Sequence, residues 1–415
     1  MFESRKPQRS WRVALSYADF RNYQLARLLT GFSQAMQSVA VGWQVYEITK
    51  RPLDLGLVGL AQFLPGVALF LISGHVADRF DRRRLYGMCC GGFAVCSGLL
   101  LMLIYRGSHT VYPIYVVLLL VGVVRSFSWP AGQALLPQLI PAEDFPSGVA
   151  LGATVTQTAM ILGPAVGGVI YAISRGPGTV YGTAAAATLG AMIATMKIRA
   201  RVKPREPEQV SLRTVLAGLR YIWTQRVILG TISLDLFAVL LGGAVALLPV
   251  YAREILATGP WGLGLLRSAP GVGAASMAFL MAHRPLRGRA GAMMLWCVAG
   301  FGVFTILFGI SRNFALSLVA LLLVGATDMV SLIIRSTMVQ LATRDEMRGR
   351  VGAVNMLFIG ASNELGEFES GVTAAWFGTV PAVVLGGVGT LLVAAAWAWR
   401  FPEIRQSDRL SGPAD

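Results

Sequence analysis

Asp235, Asp328, Glu364 and Glu367, with Arg125 and Arg335, are ionisable residues set inside long apolar stretches of a 415-residue chain. A charge in hydrocarbon is costly, so each is expected to face a cavity, pair with another or carry protons. Burial favours the neutral form of a carboxylate, which makes these four the candidates for taking up and releasing a proton. Asp328 and Arg335 are seven residues apart and share a helical face, but are too distant for an easy direct pair, so each is expected to have another partner. Glu364 and Glu367 also share a face, whereas Glu369 points to the other side of the same helix. No nucleotide-binding loop, catalytic serine or cysteine arrangement or metal-ligand spacing occurs. The chain therefore reads as a non-enzyme with no cofactor and no metal. Cys89, Cys90, Cys96 and Cys297 lie in apolar stretches away from any histidine and read as packing residues.

A second cluster, "GHVADRFDRRRL" from Gly74 to Leu85, puts two aspartates and four arginines between two apolar stretches. The elements that must position these groups follow from composition. Hydrophobic residues make up 55% of the chain and charged residues only 14%, far below the roughly one quarter of a soluble domain, so the solvent is expected to be a lipid bilayer. The net charge of +15 does not point to nucleic acid, because the basic residues are confined to breaks between apolar stretches.

The pattern predicts an all-α membrane protein with twelve transmembrane helices, at roughly 22–48, 55–77, 84–105, 111–137, 146–173, 178–197, 227–251, 261–283, 290–311, 314–342, 349–378 and 380–400. Residues 1–21 read as a polar tail with no cleavable signal, 22–197 and 227–400 as two six-helix bundles, 198–226 as the linker, and 401–415 as a second tail. The linker segment "LRTVLAGLRYIW" has helical spacing suited to the membrane surface. Of the 36 Lys and Arg residues, 26 fall in the breaks on one side of the predicted membrane and 6 on the other, which places both termini in the cytoplasm. Arg27, Arg125, Arg267 and Arg335 are the four within spans.

The chain also repeats. "FLPGVALFLISGHVADRFDRRR" (63–84) matches "SAPGVGAASMAFLMAHRPLRGR" (268–289) at an offset of 205, and "PQLIPAEDFPSGVAL" (137–151) matches "VQLATRDEMRGRVGA" (339–353) at an offset of 202. Parallel repeats of this kind place a substrate site between two halves that rock against each other. The same offset of 202 sets Glu367 and Glu369 where the first half carries glycines 163–168. Trp43, Gln44, Gln62, Gln157 and Asn363 are further cavity candidates.

"GHVADRFDRR" resembles the G-x-x-x-D-R-x-G-R-R signature of the major facilitator superfamily, in the expected loop between the second and third spans. Gly74, Asp78, Arg79, Arg82 and Arg83 match, and Asp81 stands where the family has glycine. The segments "SWPAGQALLPQLIPAEDF", "GPAVGG", "LLPVYARE" and "MRGRVGAVNMLFIGASNELGE" extend the resemblance over nearly the whole chain. They are similar to the branch that contains the bacterial enterobactin exporter and related efflux proteins. The resemblance implies the major facilitator fold, with the second span facing the eleventh and the fifth facing the eighth. It implies a gating latch in which Asp78 meets the start of the eleventh span, where Arg348 and Arg350 lie. Gly163, Pro164, Gly167 and Gly168 match the core of an antiporter-associated motif, although Ala159 replaces one of its upstream glycines. Arg125 matches the arginine of another motif, with Trp129 in place of its glycine.

The function expected is export of a small amphipathic molecule, such as a siderophore, drug or metabolite. The expected mechanism is proton antiport by a monomer in the bacterial inner membrane. A metabolite uptake symporter, a non-transporting receptor and a lipid scramblase are the alternatives. The latch expectation is testable: Asp78→Asn should impair flux while leaving membrane insertion intact, because the arginines that set topology remain. Flux and surface expression measured together decide it, and normal flux reduces the cluster to a topology signal.

Overall fold

The computed structural model describes residues 15–107, 110–200, 212–284 and 289–405, without the side chains of 71, 77, 78 and 212–215. Among these residues every regular element is helical. The main helices are α1 (Ala18–Thr49), α2 (Pro52–Ala68), α3 (Phe70–Arg79), α4 (Arg82–Tyr105), α5 (Tyr112–Leu135), α6 (Phe145–Ser174), α7 (Gly178–Met196), α8 (Leu212–Thr224), α9 (Arg226–Leu241), α10 (Gly259–His283), α11 (Ala290–Ile310), α12 (Phe314–Ala342), α13 (Asp345–Phe377) and α14 (Thr379–Arg400).

Nine helical segments among the described residues are long and apolar enough to cross a bilayer, and Pro52–Ala68 is a shorter apolar helix. The other predicted spans differ for identifiable reasons. α1 and α13 have 32 and 33 residues, ample for a span, but they carry the polar groups that face the interior, among them Gln34, Gln37, Glu364 and Glu367. The predicted second span is two helices, α2 and α3. Pro65 cannot donate to the preceding turn, and the helix loses regularity at Leu69, whose ψ is 2°. The predicted seventh span, one of the nine, is α9 followed by tight turns. Gly242 and Gly243 end α9, and a 3-10 turn (Ala244–Leu247) and a π turn (Tyr251–Ile255) continue the segment. The amphipathic helix expected in the linker is α8, which packs on α13.

In the first half α1 packs on α6 and α7, α4 on α5 and α7, and α2 on α5. In the second, α10 packs on α12, α11 on α12 and α14, and α9 on α13 and α14. The most extensive contacts between the halves are α6 on α10 and α2 on α13; α1 also touches α10 and the turn Leu248–Val250, and α2 touches the turn Ala244–Leu247. Both of the extensive contacts depend on glycine. A Cβ on Gly168 would lie 2.9 Å from the Gly264 Cα, and one on Gly371 would lie 2.9 Å from the Gly56 Cα. These backbones touch, and a side chain at either crossing would force them apart. Both crossings lie toward the far face, where α1 ends at Thr49 and α13 ends at Phe377. Toward the opposite, basic face α3 packs on α5 of its own half, and the contact of α2 with α13 is not continued along α3. A Cβ on Gly74, Gly349, Gly352 or Gly360 would meet nothing within 4 Å. The halves are thus sealed at the far face and splayed at the basic face.

Gly264→Val inserts branched carbon into the α6–α10 crossing. Overpacking of this kind costs about 1–3 kcal/mol, so the thermal midpoint of the purified protein, followed by intrinsic fluorescence, should fall. An unchanged midpoint means that the two backbones do not touch.

Candidate functional site

A cavity lined by residues of both halves lies between them. Gln34, Gln37 and Ser38 of α1 and Gln62 of α2 give it one polar wall; Arg267 of α10 and Glu367 of α13 give it the other. Leu55, Val58, Leu118, Val121, Ala246 and Pro249 make the remainder apolar. The α-helical spacing of Gln34, Gln37, Ser38 and Val41 places all four on one face of α1, which explains why a helix crossing a membrane keeps so many amides. Gln37 is held by Ser97, whose hydroxyl donates to its Oε1 at 2.7 Å. The carboxamide NH₂ of Gln37 is therefore the group left to donate.

A polar network closes the cavity toward the far face. Arg253 Nη1 lies 3.4 Å from Glu47 Oε1, and the Tyr171 hydroxyl donates to Glu47 Oε2 at 3.3 Å. The Tyr46 hydroxyl donates to Glu254, and the Arg253 guanidinium sits 5.5 Å from the centroid of the Trp43 ring. Tyr46, Glu47, Trp43 and Tyr171 belong to the first half, and Arg253 and Glu254 to the second. By sequence, Tyr46 and Tyr171 lie inside predicted spans, Glu47 at the end of one, and Arg253 and Glu254 in the loop after the seventh, and no spacing rule pairs them.

The predicted site residues separate into three places. Glu364 accepts from Arg125 Nη1 at 3.1 Å, an ion pair that bridges the halves, while Glu367 lines the central cavity. Gln157 also bridges the halves, donating to the Gly271 carbonyl at 3.1 Å. Glu369 lies apart and accepts from Thr373 at 2.6 Å on its own helix. A second cavity, with about 230 Å³ of free space, lies wholly inside the second half between α9, α11 and α12 and is lined by Asp235 and Asp328. Arg335 pairs with Asp235 there, with only 4% and 12% of their side chains exposed. Asp328 has no hydrogen-bond or ion-pair partner among the described residues. Gly163, Pro164, Gly167 and Gly168 are all buried; Gly167 packs on Met36 of α1 and Gly168 on α10. Of the other cavity candidates, Gln62 lines the central cavity, Gln44 accepts from Tyr181 at 2.6 Å, and Asn363 donates to the Ile359 carbonyl of its own helix at 2.8 Å.

At the basic face Asp81 caps α4, accepting from the backbone N–H groups of Arg83 and Arg84 at 3.0 and 3.3 Å. Its carboxylate does at a helix start what glycine cannot. Arg82 donates to the Ala134 carbonyl at 3.3 Å and Arg83 to the Ile198 carbonyl, so both tie α4 to its own half. Arg79 is exposed. Arg348 pairs with Asp345 at 2.8 Å, and Arg350 donates to the Met347 sulfur at 3.6 Å. The side chain of Asp78, on which the latch expectation turns, lies outside the described residues.

Two halves joined at glycine crossings around a polar cavity define a membrane transporter of the major facilitator type. The chain belongs to the transmembrane secretion effector family of that superfamily, whose profile matches residues 11–412. It is 28% identical to the enterobactin exporter EntS of Shigella boydii serotype 4 (strain Sb227) over 403 residues, covering 94% of this chain and 91% of that one. The EntS of Escherichia coli O157:H7 (strain EC4115 / EHEC) is 27% identical over the same span. Among solved structures, a bacterial homologue of the human lysosomal transporter Spinster superposes with a TM-score of 0.75 at 13% identity, covering 98% of this chain and 100% of that chain. The nucleoside transporter NupG gives 0.65 at 12% identity, covering 92% of this chain and 99% of that chain. These likenesses establish the fold, and a transporter family is not an enzyme class.

The pair in the second half generates a prediction. Removing one member of a buried ion pair strands the other and costs about 3–5 kcal/mol. Arg335→Gln or Asp235→Asn alone should lower the thermal midpoint markedly, and the double variant should recover most of the loss. Single variants as stable as the parent mean that the pair is not closed in the membrane.

Proposed function

We propose that the protein is a secondary active exporter of a small amphipathic molecule, driven by proton antiport. The observation that carries this reading is the central cavity, polar on two walls, apolar on the rest, and bounded by both halves. Kinship with exporters supports the direction. In the proposed arrangement twelve spans form two six-helix bundles, 22–197 and 227–400, with α2 and α3 as one broken span. The bundles are linked through 198–226, with both termini cytoplasmic in a bacterial inner membrane, and the protein works as a monomer. The basic face is then the cytoplasmic face, and the splayed halves correspond to a state that admits substrate from the cytoplasm.

Alternating access follows by rocking. Closing the cytoplasmic side brings α3 toward the start of α13, where Asp78 meets Arg348 or Arg350 and Arg348 gives up Asp345. Opening the far side separates Gly56 from Gly371 and Gly168 from Gly264, and breaks the Glu47–Arg253 and Tyr46–Glu254 bonds. Glu367 is the leading proton carrier because it faces the cavity that holds substrate; Asp328, Asp235 and Glu364 are the others.

In everted membrane vesicles with an acid lumen, a panel of siderophores and antibiotics should reveal at least one compound accumulated by the parent protein and not by vesicles lacking it. Asp235→Asn, Asp328→Asn, Glu364→Gln and Glu367→Gln are then compared singly. Loss of gradient-driven uptake with retained exchange marks the coupling residue, and we expect it at Glu367. Accumulation of no panel compound rejects the export reading. Full gradient-driven uptake in all four variants rejects coupling through these residues.

A further inference from the structure

Arg267 is placed unlike the other span arginines. Arg335 is paired with Asp235 and Arg125 with Glu364. Arg27 donates to the Thr156 hydroxyl at 2.8 Å. Arg267 lines the central cavity and has no hydrogen-bond or ion-pair partner among the described residues. A guanidinium at this depth, with five N–H donors and no proton to lose, is costly to leave unmatched.

Two features decide which ligand charge the cavity favours. Glu367 is the opposing charge on the cavity wall, but its carboxylate is turned against the α2–α13 crossing. A Cβ on Gly59 would lie 2.8 Å from its Oε2. It is also within electrostatic reach of both Arg267 and Arg125. A cation at Glu367 meets a carboxylate pressed against a neighbouring helix and faced by two guanidinium groups. An anion at Arg267 meets a planar donor fork, and the free carboxamide NH₂ of Gln37 on the opposite wall adds a further donor.

We propose that Arg267 is the docking group for an anionic substituent of the substrate, a carboxylate or an oxyanion of like geometry, carried on a largely apolar body. This rests on the export reading and narrows it to anionic amphiphiles. Arg267 binds the oxyanion through the guanidinium fork. Gln37 donates to an acceptor nearby, and the apolar wall around Val58 and Leu118 takes the body. Glu367 competes with the ligand's anion for the field of Arg267.

A matched pair of probes tests this: dansylglycine, an anion, and dansylglycinamide, its neutral amide. Binding is measured by fluorescence titration of the full-length protein in lipid nanodiscs, with empty nanodiscs subtracted. The parent should bind the acid about tenfold or more tightly than the amide. Arg267→Ala should lose that preference, Arg267→Lys should keep part of it, and Glu367→Gln should enlarge it. The thermal midpoint of each variant shows that it is folded. Equal binding of the two probes by the parent, binding of neither, or an Arg267→Ala protein that still prefers the acid overturns the inference. The vesicle panel stands apart from this result. A parent that accumulates a panel compound but shows no acid preference keeps the export reading and loses the anion site. A parent that accumulates nothing loses the reading itself.

Discussion

The rest of the structure depends on direct contact between helix backbones at two glycine crossings, Gly168 with Gly264 and Gly56 with Gly371. In lipid there is no hydrophobic gain from pressing helices together, because the tails are as apolar as the side chains. Association rests on close packing, and small residues give the closest. The two crossings put α6 on α10 and α2 on α13, and the cavity is the space these two contacts leave between them. Both lie on the far side of the cavity, so the contact that holds the halves together also determines which end of the cavity is closed.

Charges inside the helices divide according to whether their partners move with them. Asp235 and Arg335 belong to one half, and rigid motion of that half leaves the pair intact. It can fix the geometry of α9 against α12 without resisting any transition. Arg125 and Glu364 belong to different halves. Any rocking stretches that pair, and its energy enters the balance between states. Arg125 is half exposed, with 53% of its side chain accessible, so water can take over its hydrogen bonds and the pair adds only modestly to that balance. Arg267 belongs to a third kind, a charge with no hydrogen-bond or ion-pair partner among the described residues.

Much of this was legible in the sequence because periodicity and charge asymmetry are strong signals in a membrane protein. The apolar runs gave most helix bounds to within a few residues. The repeat offsets and the family resemblance together indicated which helices face each other across the boundary, since α2 with α13 and α6 with α10 are the contacts found. What was not legible depended on backbone detail or on long-range pairing. The break between α2 and α3 follows from Pro65, yet Pro130, Pro164 and Pro270 stand inside unbroken helices, so proline alone could not have located it. The partner of Arg335 lies 100 residues away on α9, outside the reach of any helical spacing rule. Asp81 appeared as a departure from the glycine of the signature, and only the geometry of α4 shows it capping the helix.

The far-face seal has two layers with different physics. The glycine crossings are backbone packed on backbone, and separating them exposes surface that lipid or water can cover but cannot interlock with. Above them, the network of Tyr46, Glu47, Tyr171, Arg253 and Glu254 is polar, and Glu47 is 49% exposed. Its bonds can be exchanged for bonds to water one at a time, each at small cost. A seal made only of glycine contacts would separate all at once. A seal made only of exposed polar bonds would leak, because water enters wherever one bond opens. In the proposed export cycle, stacking the two lets the outer layer loosen before the inner layer parts. The ring of Trp43 lies under the Arg253 guanidinium, and Gly42 beside it in the chain lines the cavity, so the polar layer stands one residue from the cavity wall. In that cycle, a ligand that reaches from Arg267 to Gly42 comes within one residue of the seal that has to open.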